Sequence, residues 1–200
     1  EKARQAEKEH NLEIDEDALA AEVYEAARVI EPDNLPILHK LLALYQKANK
    51  WVSLFDILRS IATVDTDPLR RAKTYFTMGQ IASIELLDRG TALEMFDLAL
   101  DTDASQLSAF ENINRILTEA KDWAGLEQMY RKMIARAEAR REWSLVFLLY
   151  KQLTIVLRDR LGDFAGATES IKQAVKLSPD DEQSQAILRE LLSHTGQAQG

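Results

Sequence analysis

Histidine is the side chain most able to hold a metal or move a proton near neutral pH, and this chain has three of them, His10, His39 and His194. They lie far apart, none belongs to an HExxH pattern, and there is no cysteine to complete a ligand set. The seven glycines form neither GxGxxG nor GxxxxGK, so no loop is built to cradle a phosphate. Carboxylates are abundant, with 33 Asp and Glu, but at that density a pair facing one another says nothing about acid–base chemistry. Solvated helix faces and first turns favoured by the helix dipole account for them. The expectation is a chain with no catalytic residues, no cofactor and no metal, and therefore not an enzyme.

Tryptophan offers a different chemistry, that of a contact surface. Trp51 and Trp123 hold equivalent places, since Ala48, Trp51 and Leu54 recur 72 residues later as Ala120, Trp123 and Leu126. They read as structural. Trp143 has no equivalent in that alignment and starts the most apolar stretch, in which Leu145 to Tyr150 reads as a buried helix face. Core and contact roles are equally open to it.

The elements that carry these residues are helices. Ala20, Tyr24 and Ala27, then Leu54, Leu58 and Ile61, then Ala92, Phe96 and Ala99, then Ala167, Ile171 and Ala174 stand at i, i+4 and i+7, the spacing of one helical stripe. The first three sets are 34 and 38 residues apart, which implies stacked hairpins. A coarser period relates Tyr75, Asp88, Ala92 and Ala99 to Tyr150, Asp163, Ala167 and Ala174, 75 residues on. No segment alternates with period two for long enough to propose a strand. Pro32, Pro36, Pro68 and Pro179 fall in connections or first turns, Gly90 and Gly162 at hairpin turns, and Asp65, Asp67, Asp103, Asp122, Asp163 and Ser178 where caps are needed.

The reading is an all-α chain of about eleven helices. Residues 1–16 form a helical or frayed segment, and 17–193 a single repeat domain. Within it lie a partial hairpin to 34, hairpins over 35–67, 68–104, 105–140 and 141–179, and a closing helix over 180–193; 194–200 is a disordered tail. With 46% hydrophobic residues the chain can bury a large core between neighbouring hairpins. A formal net charge of −8 argues against a general nucleic-acid surface, which needs a basic face to displace counterions, though it leaves room for a local basic patch. No apolar run nears the ~20 residues that span a bilayer, so no membrane insertion is expected. The chain opens at Glu1 without Met, which reads as a fragment of a longer protein. Localisation stays open on that account, with the cytoplasm favoured.

These stripes resemble the tetratricopeptide repeat, in which helix A carries apolar residues, a small residue and a Tyr, and helix B carries Ala, Phe, Ala and Pro. The likeness covers roughly 17–193. Ala20, Tyr24, Ala27 and Pro32 match a helix B fully, while Arg4, Glu7, Lys8 and Asn11 do not match a helix A. Leu38, Leu41, Leu42 and Tyr45, then Tyr75, Met78, Gly79 and Ala82, then Phe110, Ile113 and Leu117, then Tyr150, Leu153, Thr154 and Leu157 fill the later A helices. Only Gly79 keeps the family glycine, and the Arg158 to Asp163 turn has the texture of bacterial repeat proteins.

The resemblance implies a right-handed superhelix whose A helices line a concave groove that grips a peptide or a partner's helix. Twenty positions would face it, and they hold five Lys or Arg and one acid. The candidate groove residues are His39, Lys40, Lys73, Phe76, Gln80, Asn112, Arg115, Lys151, Ile155 and Arg158. A groove of that charge in an acidic chain suits an acidic or carboxylate-bearing protein partner, the alternative being a chance scatter of charges. The chaperone-tail clamp of some relatives is not expected, because Gln5, Glu9, Lys40, Lys73 and Thr77 agree with it at one place in five. The competing functions are a self-assembly module of a larger repeat protein and a half-a-TPR scaffold of RNA processing; oligomeric state is open.

Overall fold

The structure, a computed structural model, describes the backbone of residues 2–197 and the side chains of residues 16–194. Among the described residues there are ten α-helices, one π-helical turn and no strand. They form two compact units, Glu1–Asp103 and Ala104–Gly200.

The first unit holds α1 (Lys2–Ile30), α2 (Leu35–Lys47), α3 (Trp51–Val64), α4 (Pro68–Ile84) and α5 (Arg89–Thr102). Asn34 caps α2 by accepting from the Ile37 N–H at 3.2 Å, and Pro36 sits in the first turn, where its missing donor costs nothing. Leu38 and Leu41 of α2 are fully buried against a face of α3 that includes Leu54, Ile57, Leu58 and Ile61. Asp67 caps α4 through the Leu69 N–H, and Asp88 caps α5 through the Thr91 N–H. Between α4 and α5 the approach is close: a Cβ on Gly79 would stand 2.7 Å from the Phe96 ring. That distance explains why glycine occupies this turn of α4, and Ala92, Phe96 and Ala99 are fully buried across from it.

The second unit holds α6 (Leu107–Glu119), α7 (Trp123–Ala139), α8 (Trp143–Ile155), the π-helical turn Val156–Leu161, α9 (Phe164–Leu177) and α10 (Glu182–Gln197). Asp122 and Asp163 cap α7 and α9 through the N–H groups of Gly125 and Gly166. Ala167, Ile171 and Ala174 repeat the fully buried stripe of α5. The π-helical turn ends on Gly162, whose φ of 66° lies in the left-handed region that glycine enters without penalty.

Several details differ from the sequence reading. Asp65, Asp103 and Ser178 close the helices before them rather than cap the ones after. Gly90 lies inside the first turn of α5, and Leu87 takes the left-handed turn position at φ 52°. Leu148 breaks the expected buried run, being 55% exposed, because six consecutive residues of a helix point all round its axis. Helix α10 continues through Gln197 instead of ending at Ser193, and residues 198–200 lie outside the described set. The side chains of Arg4, Gln5, Glu7, Lys8, Glu9, His10 and Asn11 also lie outside it.

Trp143 has an equivalent after all. The turns before Trp51, Trp123 and Trp143 share one geometry, with Asn49, Lys121 and Arg141 at φ 52° to 58°. In each, the N–H of the next residue reaches back to a carbonyl five residues earlier, Lys50 to Tyr45, Asp122 to Leu117 and Glu142 to Ala137. The third turn joins α7 to α8, a different kind of junction from the other two, so the 72-residue period does not find it.

Candidate functional site

The ten groove candidates fall on α2 and α4 of the first unit and on α6, α8 and the π-helical turn of the second. In the first unit His39, Lys40, Lys73 and Gln80 are exposed, while Phe76 is half-buried and leans on Phe96 with ring centroids 5.6 Å apart. A groove of about 300 Å³ runs between α2 and α4. Trp51, Leu54 and Leu58 of α3 are part of its lining, with Leu42 and Gln46 on one side and Lys73, Thr74, Thr77 and Ile81 on the other.

The charge of this face follows from composition. Helix α2 reads LPILHKLLALYQK and α4 reads PLRRAKTYFTMGQIASI, so neither contains a carboxylate. Two of their five Lys and Arg are engaged in ion pairs. Lys47 pairs with Asp17 at 2.8 Å, and Arg70 grips Asp65 in a two-point contact at 2.8 and 2.9 Å. The Arg70 guanidinium, helped by the Asp67 N–H, holds the Asp65 carboxyl down at about 2. Among the described residues Lys40 and Lys73 have no such partner, and both are exposed.

The corresponding face of the second unit is neutralised. Arg115 donates to Glu119 at 3.2 Å and to the Asn112 side-chain oxygen Oδ1 at 3.3 Å, while the Asn112 Nδ2 donates to the Ser108 backbone carbonyl. Lys151 reaches Asp181 at 3.1 Å and Gln183 at 2.9 Å and lies 5.1 Å from the Phe147 ring centroid. Arg158 bonds Asp159 at 2.7 Å and stands 3.6 Å from Glu190. A tally of charges on the A helices alone omits Asp181 and Glu190, which come from the connection before α10 and from α10 itself. Ile155 keeps 39% of its surface, and Trp143 51%.

A larger cavity of about 530 Å³ lies between α1 and the end of α2. Its charged groups are already engaged, Lys47 with Asp17 and Lys50 over the Tyr45 ring at 5.9 Å. No group of three or more metal-ligating side chains occurs among the described residues, and no helix there is long and apolar enough to cross a membrane. Sequence reasoning missed Trp51, Leu54, Leu58 and Ile81 as groove lining. They belong to the core stripes of α3 and α4, and only the spacing between α2 and α4 exposes their edges.

No family model and no curated protein matches the chain. Among solved structures it is similar to MamA at 15% identity, over 89% of this chain and 90% of that one, with a TM-score of 0.44. It is similar to the N-terminal domain of stress-induced protein-1 from C. elegans at 18%, over 64% and 98%, with a TM-score of 0.48. YrrB, described as a TPR protein with an unusual peptide-binding site, matches at 10% over 87% and 84%, with a TM-score of 0.43. All three scores fall below 0.5.

Proposed function

We propose that the chain is a non-catalytic protein-interaction scaffold and that the α2–α4 face of its first unit binds an acidic peptide segment. The observation that carries this reading is the pairing of two carboxylate-free helices with an open apolar groove in a chain of net charge −8. Lys40 and Lys73 meet the peptide's carboxylates, and Gln46, Thr77 and Gln80 offer hydrogen bonds to its backbone. One apolar side chain sits over Trp51, Leu54 and Leu58.

Magnitudes divide the labour. An exposed ion pair contributes about 0.2–1 kcal/mol and weakens with salt, so the two lysines supply attraction and orientation. Burying one Leu- or Phe-sized side chain contributes about 1.5–3 kcal/mol and supplies most of the affinity. The outer acidic faces repel the same peptide and confine it to this side.

The test uses a labelled Asp- and Glu-rich peptide with one central Leu, titrated by fluorescence anisotropy. Lys40→Glu with Lys73→Glu should weaken binding by at least about tenfold at low salt. Lys172→Glu with Lys176→Glu, an equal change of charge on α9, should leave it unaltered. Equal affinity for the parent and the first double variant would remove the reading.

A further inference from the structure

Helix α1 carries a second surface of opposite character. Its inward side is set by Ala21, which is buried, and by Arg28, which reaches the Ser60 hydroxyl at 3.2 Å. Glu25 takes a hydrogen bond from the Tyr45 hydroxyl at 2.6 Å and fixes that side against α2. On the opposite side Leu19, Val23, Ala26 and Ile30 stand at i, i+4, i+7 and i+11, a straight stripe along the helix. All four are exposed, Leu19 at 64%, Val23 at 61% and Ile30 at 81%. Glu16 and Glu22 lie exposed on the two rims of the stripe, about 60° to either side of its centre at 100° per residue.

Such a stripe is the half-interface of a helix pair, because i, i+4, i+7 and i+11 side chains interdigitate with a like row on another helix. The rims decide which helix. Two copies of α1 laid together would bring Glu16 and Glu22 of each copy to the rims of one interface, and like charges gathered there disfavour it. The outer side of α10, by contrast, shows Glu182, Ala186, Arg189 and Ser193 and has no apolar row of this kind.

We infer that the outward face of α1 docks an amphipathic helix whose apolar row is flanked by Lys or Arg. The surface is separate from the α2–α4 face in residues and in charge, so this one chain holds an acidic segment on one side and a basic helix on another.

The probe is a designed helical peptide with Leu at i, i+4, i+7 and i+11 and Lys on both rims, compared with the same peptide carrying Glu on the rims. Anisotropy titration of the intact chain should show binding of the first and none of the second. Val23→Asp, an exposed site whose change leaves the circular dichroism spectrum intact, should weaken the Lys-rimmed peptide by at least about tenfold. Glu16→Lys with Glu22→Lys should do the same, while Glu94→Lys with Glu111→Lys, an equal change of charge elsewhere, should not. Lys40→Glu with Lys73→Glu should also leave this peptide's affinity unchanged. Three results would overturn the inference: retention of affinity by Val23→Asp, equal affinity for the Glu-rimmed peptide, or a self-associated chain in sedimentation that Val23→Asp turns into a monomer.

Discussion

Asp65 shows how one residue can shape a face it does not belong to. Its buried carboxylate holds Arg70 of α4 in a two-point ion pair, so that among the described residues Lys73, three residues on, is the cation of α4 that lines the groove without an ion pair. Because the folded carboxyl titrates at about 2 against an ordinary value near 4, its stabilisation is present above pH ~4 and is lost as pH falls toward 2. Urea unfolding of the parent should lose stability across that window, and Asp65→Asn should flatten this part of the profile. Leu87 offers a test in the other direction. It is exposed at φ 52° in the place that Gly162 fills 75 residues later. Leu87→Gly removes a left-handed cost of about 1–2 kcal/mol and adds about 0.5–1 kcal/mol of chain entropy, a net gain of roughly 0.5–1 kcal/mol. Gly162→Ala should lose about 1 kcal/mol or more in the same assay. The recurrence of Asp88 as Asp163 was visible in the sequence, whereas the turn residue was not, because a leucine carries no signal of positive φ.

At the scale of helices, the buried stripes were the legible part. Ala92, Phe96, Ala99, Ala167, Ile171 and Ala174 are all fully buried, as their spacing requires. The space beside them is tight enough to test. Ala92→Leu, Ala167→Leu and Gly79→Ala should each cost roughly 1–3 kcal/mol, the last because its new methyl meets Phe96 at 2.7 Å. Melting temperatures equal to the parent's would show that these contacts can give way. The outward faces were less legible. Periodicity marks an apolar row without saying whether a neighbour covers it, so the bare stripe of α1 and the half-exposed Trp143 emerge only from the packed helices. Charge was misjudged for a related reason: Lys151 looks free along its own helix, and its partner Asp181 arrives from 30 residues away, while Arg158 is held by its neighbour Asp159 and approached by Glu190 from α10.

For the whole molecule, what matters most is that a chain of net charge −8 presents two neighbouring A helices, α2 and α4, without a carboxylate. The asymmetry lies in composition, so it survives small shifts of side chains, and it sets an ionic-strength dependence that an apolar contact alone would not have. The most direct measurement is amide chemical-shift mapping of the isotopically labelled 22.7 kDa chain titrated with the acidic peptide. A peptide bound at the α2–α4 face gives its largest shifts at His39, Lys40, Lys73, Thr77 and the Trp51 indole, fading as salt is raised, with little change at Lys151 and Arg158. Shifts centred on α8, or scattered over every basic residue alike, would contradict it.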